Sequence, residues 1–226
     1  MSIIIKRAAA LMAAAVITVG AAVSCSSKKS SSDHEHEHNL AGGDIPEGYS
    51  KDLEDMPYGG EFQKFQPGEN DFPLGIDMDP RFVTTEEATA LTNYFYAINN
   101  QDEEALKKAL HPDFLEYRLE NSQYGSAKEF LEGEYELLKQ YTGSDFTFDY
   151  VLIDGRLKDT EGAFETYDKL IETASPGCNI TSKNMYMVDV TYHKPNDDGS
   201  YSLRYRFGDY MDIAVYTIDG KAYVVS

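Results

Sequence analysis

The chain has 226 residues, 42% apolar and 26% charged, enough for one ordinary globular domain with sequence to spare. Lys and Arg number 20 against 39 Asp and Glu, a net charge of −19. So acidic a surface excludes a phosphate-backbone binder, which needs clustered cations, and no nucleic-acid partner is expected. The 2 cysteines are too few for a disulfide scaffold, and nothing in the composition is collagenous, coiled-coil or multi-spanning.

Residues 1–24 read as a secretory signal. Lys6 and Arg7 form a positive start, and Ala8 to Val23 is an uncharged apolar run. At about 16 residues that run is shorter than the roughly 20 a membrane-spanning helix needs. The segment Ala22-Val23-Ser24-Cys25 resembles the bacterial lipobox, in which small residues precede a cysteine that is acylated before cleavage. The resemblance implies lipid attachment at Cys25 and anchorage of the mature chain to the extracytoplasmic face of a membrane through palmitate-like chains. Two or three chains hold stably where one does not. The rival reading is ordinary cleavage that leaves a free Cys25 thiol.

Residues 25–43 are small, polar and without apolar periodicity, the composition of a flexible tether. Within it His34, His36 and His38 alternate with Glu35 and Glu37, a weak candidate for zinc, nickel or copper. A solvated spacer is the favoured reading, since nothing structured supports those imidazoles. Residues 44–81 carry Pro46, Pro57, Pro67, Pro73 and Pro80, so neither helix nor central strand is expected there. Phe62, Phe65 and Phe72 are too apolar for a pure linker. The stretch reads as an irregular arm laid on the surface of a domain spanning 82–226.

Periodicity then begins. Thr84 and Glu87 form a capping box ahead of Ala88, Leu91, Phe95 and Ile98 at helical spacing, with Asn99-Asn100 as the break. A short helix follows through Ala105, Leu106, Ala109 and Leu110 and stops near Pro112. A third helix starts at Ser126 and ends at Gly143. Phe146, Phe148, Tyr150 and Leu152 alternate as a strand, and Ala163 to Ala174 turns helical before Pro176-Gly177. Three closing strands are expected. The first carries Tyr186, Val188, Val190 and Tyr192. The second runs from Tyr201 through Phe207, past a bulge at Gly208, to Ile218. The turn Asp219-Gly220 leads into the last, which ends at Val225.

This order predicts an α+β fold, with N-terminal helices packed against a curved antiparallel sheet. It resembles the NTF2-like (SnoaL-like, cystatin-like cone) superfamily. The residues carrying the likeness are Asn93-Tyr94-Phe95-Tyr96-Ala97-Ile98-Asn99-Asn100-Gln101-Asp102, Leu110-His111-Pro112-Asp113-Phe114 and the closing Val215-Tyr216-Thr217-Ile218-Asp219-Gly220-Lys221-Ala222-Tyr223-Val224. The resemblance implies a sheet curled around the first long helix, a conical pocket and, as in many relatives, dimerisation through the sheet. Members include isomerases, hydrolases and proteins without chemistry, so fold does not choose the function.

Chemistry is sparse. His111 is the best acid–base candidate, with Asp113 or Asp149 as carboxylate partner. Its plain alternative is a histidine in the last turn of a helix, favoured there by the helix dipole. His193 closes a strand beside a polar turn and reads as a surface residue. Asp149 and Asp189 fall opposite the aromatic faces of their strands and read as solvated. Arg204 and Arg206 join Asp149 only if the mixed face is the concave one. Cys178 is a lone thiol without an evident cationic partner. The segment Asn179-Ile180-Thr181 matches a glycosylation acceptor but carries little weight beside a lipobox. Tyr186, Tyr192, Tyr201, Tyr205, Tyr210, Tyr216 and Tyr223 are read mainly as core, or as a binding face where exposed together. No nucleophile elbow, phosphate loop or zinc-protease motif occurs, and no cofactor is expected. The leading expectation is a lipid-anchored module that binds a small ligand or an envelope protein without catalysis. A pocket enzyme of hydrolase or isomerase type using His111, and a structural envelope adaptor, are the alternatives.

Overall fold

The computed structural model describes residues 63–157, 162 and 164–225. The signal, the lipobox cysteine Cys25, and the tether with His34, His36 and His38 lie outside them. The fold is α+β, with helices packed against a curved, mostly antiparallel sheet. Two short strands, β1 (Gln63–Phe65) and β2 (Gly75–Met78), precede α1 (Thr85–Asn100), α2 (Glu103–Ala109), α3 (Pro112–Asn121) and α4 (Ala127–Thr142). Then come β3 (Thr147–Leu157), α5 (Glu165–Ala174), β4 (Ile180–His193), β5 (Ser200–Ser202), α6 (Arg204–Phe207), β6 (Met211–Ile218) and β7 (Lys221–Val225). The sheet order is β1-β2-β3-β4-β6-β7, with β5 also paired to β4. Among the described residues no helix is long and apolar enough to cross a membrane.

Two strands replace the irregular arm expected up to Arg81. The prolines fall at 67, 73 and 80, outside both strands, so they cost the ladder no hydrogen bond. Strand β2 lies inside the sheet, between β1 and β3, and runs parallel to β3, which the helices α1–α4 make reachable as a crossover. A Cβ at Gly75 would meet the Tyr150 ring at 2.3 Å, so glycine there lets the ring cross β2 and its hydroxyl donate to the Ile76 carbonyl.

Local chemistry sets the helix ends. The capping box at α1 is present: Thr84 Oγ1 accepts from the Glu87 N–H while a Glu87 carboxylate oxygen accepts from the Thr84 N–H. The buried Glu87 also accepts from Asn184 Nδ2 at 2.6 Å, tying the helix start to β4. Helix α1 ends at Asn100, as expected, with Gln101 capping it in the left-handed region (φ 56). Asn99 Oδ1 accepts from the Phe148 N–H on β3. Helix α2 ends at Ala109, near Pro112 as expected, and Pro112 also opens α3 at its first position, where its missing N–H has no intrahelical partner to lose.

The strand phases also differ from simple alternation. A bulge leaves Asp149 unpaired, since Phe148 faces Tyr192 and Tyr150 faces Thr191. One extra residue switches faces, so Phe146, Phe148, Val151 and Ile153 share the core while Tyr150 and Leu152 turn half outward. The strand expected over Tyr201 to Phe207 is three residues of β5 followed by one helical turn, α6. Gly208 ends that turn in the left-handed region (φ 87) and is no bulge. Strands β5 and β6 both pair with β4, at Thr191–His193 and at Ile180–Val188, so α6 is an excursion from one interrupted edge.

Asp189 holds that excursion. It is 7% exposed and not solvated as expected. Its carboxylate accepts from Ser202 Oγ (2.6 Å), the Arg204 N–H (3.0 Å) and the Val190 N–H (2.7 Å). A buried carboxylate is tolerated only when its lone pairs are filled in this way. Replacing Asp189 with Ala strands those donors. The variant should lose about 2–3 kcal/mol of stability in urea denaturation.

Candidate functional site

The residues expected to do chemistry are dispersed. His111 lies between α2 and α3 as the residue before the first turn of α3, not in a last helical turn. Its ring packs edge-on against Tyr223 at 5.1 Å, and Nδ1 is buried without a hydrogen-bond partner. Neither proposed carboxylate serves it. Asp113 accepts from Ser175 Oγ at 2.6 Å, and Asp149 sits 2.7 Å from His193 Nε2. Burial pushes the nearby Cys178 thiol up, with the Asp219 charge adding to the effect, so little nucleophilic thiolate forms.

The imidazole–carboxylate pair that does form is His193–Asp149. The bulge in β3 aims Asp149 at the end of β4, where His193 Nδ1 is 2.9 Å from the Gly199 carbonyl. A carbonyl only accepts, so Nδ1 carries a proton and Nε2 faces the carboxylate. Burial raises the Asp149 carboxyl above its ordinary value and the His193 charge pulls it back. Both side chains are more than a third exposed. The pair clamps two strand ends at the surface and encloses no substrate space. Arg204 and Arg206 lie on the helical turn α6 and not on a strand.

The space between α1 and the sheet, where a conical pocket would open, is filled by rings. Phe95 of α1 meets Phe148 edge-on at 5.8 Å, Phe148 lies 4.8 Å from Phe146, and Phe146 lies 6.2 Å from Tyr192. Tyr186, Tyr192 and Tyr216 are fully buried, which places three of the sequence tyrosines in the core. Such packing excludes a substrate as effectively as it excludes water.

The open concavity is elsewhere, a cleft of about 610 Å³ between α1, α2 and the loop joining β1 to β2. The half-buried Thr89 and Tyr96 and the buried Asn93 stand at helical spacing along one flank of α1, Lys108 comes from α2, and Gly68, Asp71 and Pro73 form the lip above a buried Phe72. Thr89 and Asn93 donate to α1 carbonyls, at 2.7 Å and 2.8 Å. Among the described residues neither the Tyr96 hydroxyl nor the Lys108 ammonium has a hydrogen-bond partner. The lip is conformationally costly: Gly68, Asn70 and Asp71 all have positive φ (89, 50 and 62). Backbone strain of this kind gathers at ligand-contacting loops. The cleft offers a cation, a phenol and a carboxylate without an acid–base pair, the equipment for holding a small polar molecule. Sequence reading missed it because the lip was taken for an arm. The signal was the Thr89, Asn93, Tyr96 stripe, four and three residues apart, beside the apolar face.

Among the described residues no group of three His, Cys, Asp or Glu is placed to hold a metal ion. Comparisons with protein-family models, with curated proteins and with solved structures find no match for the chain.

Another carboxylate is buried outside the cleft. Glu134 on α4 is 7% exposed, and burial raises its carboxyl above the ordinary value while Arg118 opposes that rise. With the folded value above the unfolded one, the fold resists ionisation. This group's contribution is then most favourable below the unfolded value and declines as pH rises through the raised one. Glu134→Gln should therefore unfold at higher urea than the parent at neutral pH. The gap should shrink toward about pH 4, near the unperturbed carboxyl value.

Proposed function

We propose that the chain is an extracytoplasmic lipoprotein, anchored through acylated Cys25, whose α+β domain binds a small polar ligand without transforming it. The single observation that carries the non-catalytic half is the ring-filled interior. An enzyme built on such a cone works inside it, and here Phe95, Phe146, Phe148 and Tyr192 occupy that room. The dispersal of His111, Asp113 and Asp149 among separate partners supports the same reading. The order of helices and strands supports placing the domain with the NTF2-like cones, in the branch that has lost the pocket. The cleft beside α1 is the ligand site, with Lys108 addressing a negative group and Tyr96 supplying a hydrogen bond and ring contact.

Anchorage is supported by the order of charges, apolar run, small residues and Cys25 at the start of the chain. Cells fed an alkynyl palmitate analogue should label the wild-type protein. Cys25→Ala should carry no label and move from the detergent to the aqueous phase on phase partitioning. An unlabelled wild-type protein overturns the anchorage. For the cleft, native mass spectrometry of protein purified from its own host should show a bound small molecule, reduced by about tenfold or more in Lys108→Glu through loss of the charge contact. Retention of the adduct in that variant, or its chemical conversion on standing, contradicts the assignment.

A further inference from the structure

The α6 excursion has no explanation in the core or in the cleft beside α1. It interrupts an edge that would otherwise pair continuously along β4, and one buried carboxylate, Asp189, fastens its start. Its four residues are treated unequally. The preceding Leu203 is fully buried, Phe207 packs edge-on against Tyr141 of α4 at 4.7 Å, and Arg204 lies 4.0 Å over the Tyr210 ring and donates to its hydroxyl. Arg206 donates through Nε to the buried Tyr192 hydroxyl at 3.0 Å. Arg204 and Arg206 are exposed but each is held by a tyrosine hydroxyl, whereas Tyr205 is 84% exposed.

Beside it is a shallow cleft of about 260 Å³ lined by Thr191, Ser200, Tyr201, Ser202, Tyr205 and Arg206. Three hydroxyl side chains, two phenol rings and one guanidinium meet there. The Tyr201 ring is fixed, stacked on Tyr192 at 5.5 Å and donating from its hydroxyl to Asp197 at 2.6 Å. Among the described residues the two terminal nitrogens of Arg206 have no partner. The volume is below the roughly 300–1,000 Å³ of sites that enclose drug-sized ligands.

We infer that this ledge is a saccharide-binding site, distinct from the cleft beside α1. A pyranose has one face of C–H groups and a rim of hydroxyls. The face suits the solvent-exposed ring of Tyr205, whose burial against it removes apolar surface from water. The rim suits Ser200, Thr191 and the free Arg206 nitrogens, which donate or accept without demanding a fixed charge. A hydrophobic peptide side chain would find no deep apolar pocket here, and β5 offers only three residues for strand addition.

The test uses the full-length protein in detergent on an array of immobilised glucosyl, galactosyl, mannosyl and N-acetylglucosaminyl oligosaccharides. The highest-ranking glycan is then titrated by calorimetry. Binding is expected to weaken by about tenfold in Tyr205→Ala and to stay within about twofold of wild type in Tyr205→Phe, which keeps the stacking face. Because Tyr205 packs against nothing, both variants should show the parent's urea midpoint, which separates lost binding from lost folding. Failure to bind any glycan on the array, or glycan binding that survives Tyr205→Ala, overturns the inference. Neither result touches the cleft at Lys108, which is read by its own adduct.

Discussion

The structure depends on how α1 is seated in the sheet. Three contacts fix it: Glu87 to Asn184 at one end, Phe95 against Phe148 in the middle, and Asn99 to the Phe148 N–H at the other. The last of these works because β3 bulges at Asp149. The bulge rotates Phe146 and Phe148 onto the helix-facing side together with Val151 and Ile153, and those rings fill the interior. One extra residue in a strand thus sets which rings fill the space between α1 and the sheet.

Once the interior is filled, polarity has to find other places, and it does so at the margins of the sheet. Buried carboxylates act as fasteners: Glu87 at the start of α1, Asp189 beneath the interrupted edge. Each has its lone pairs occupied by named donors. His193 and Asp149 join two strand ends at the surface. A carboxylate buried and fully hydrogen-bonded organises the backbone around it. Tyr96 and Lys108 line the cleft beside α1, and Arg206 lines the ledge beside α6.

Much of this was legible in the residues. Thr84 and Glu87, Ser126 and Gly143, and Asp219-Gly220 state their local structure outright, because each meets a backbone requirement that few other residues meet. The α+β class followed from helices preceding strands. The failures share one cause, the override of local pattern by tertiary pairing. Pro67, Pro73 and Pro80 suggested an arm, yet the stretch between the last two pairs with β3 as β2, and the stretch before Pro67 pairs with β2 as β1. Pro112 stopped one helix and began the next. The alternation in Tyr201 to Phe207 favoured a strand, but Asp189 lies across the sheet and captures the chain as a turn. No sequence window of ordinary length contains both Asp189 and Arg204 with the geometry that joins them. The dispersal of His111 from Asp149 has the same origin, since a bulge does not announce which side chain it will redirect.

The filled interior is tested most directly by cutting a ring out of it. Phe148→Ala in the full chain, unfolded in urea, should lose about 3–5 kcal/mol, the cost of a large core ring removed from close-packed surroundings that cannot collapse. A loss below about 1 kcal/mol would mean that Phe148 already borders empty or solvated space, and the packed interior would be contradicted.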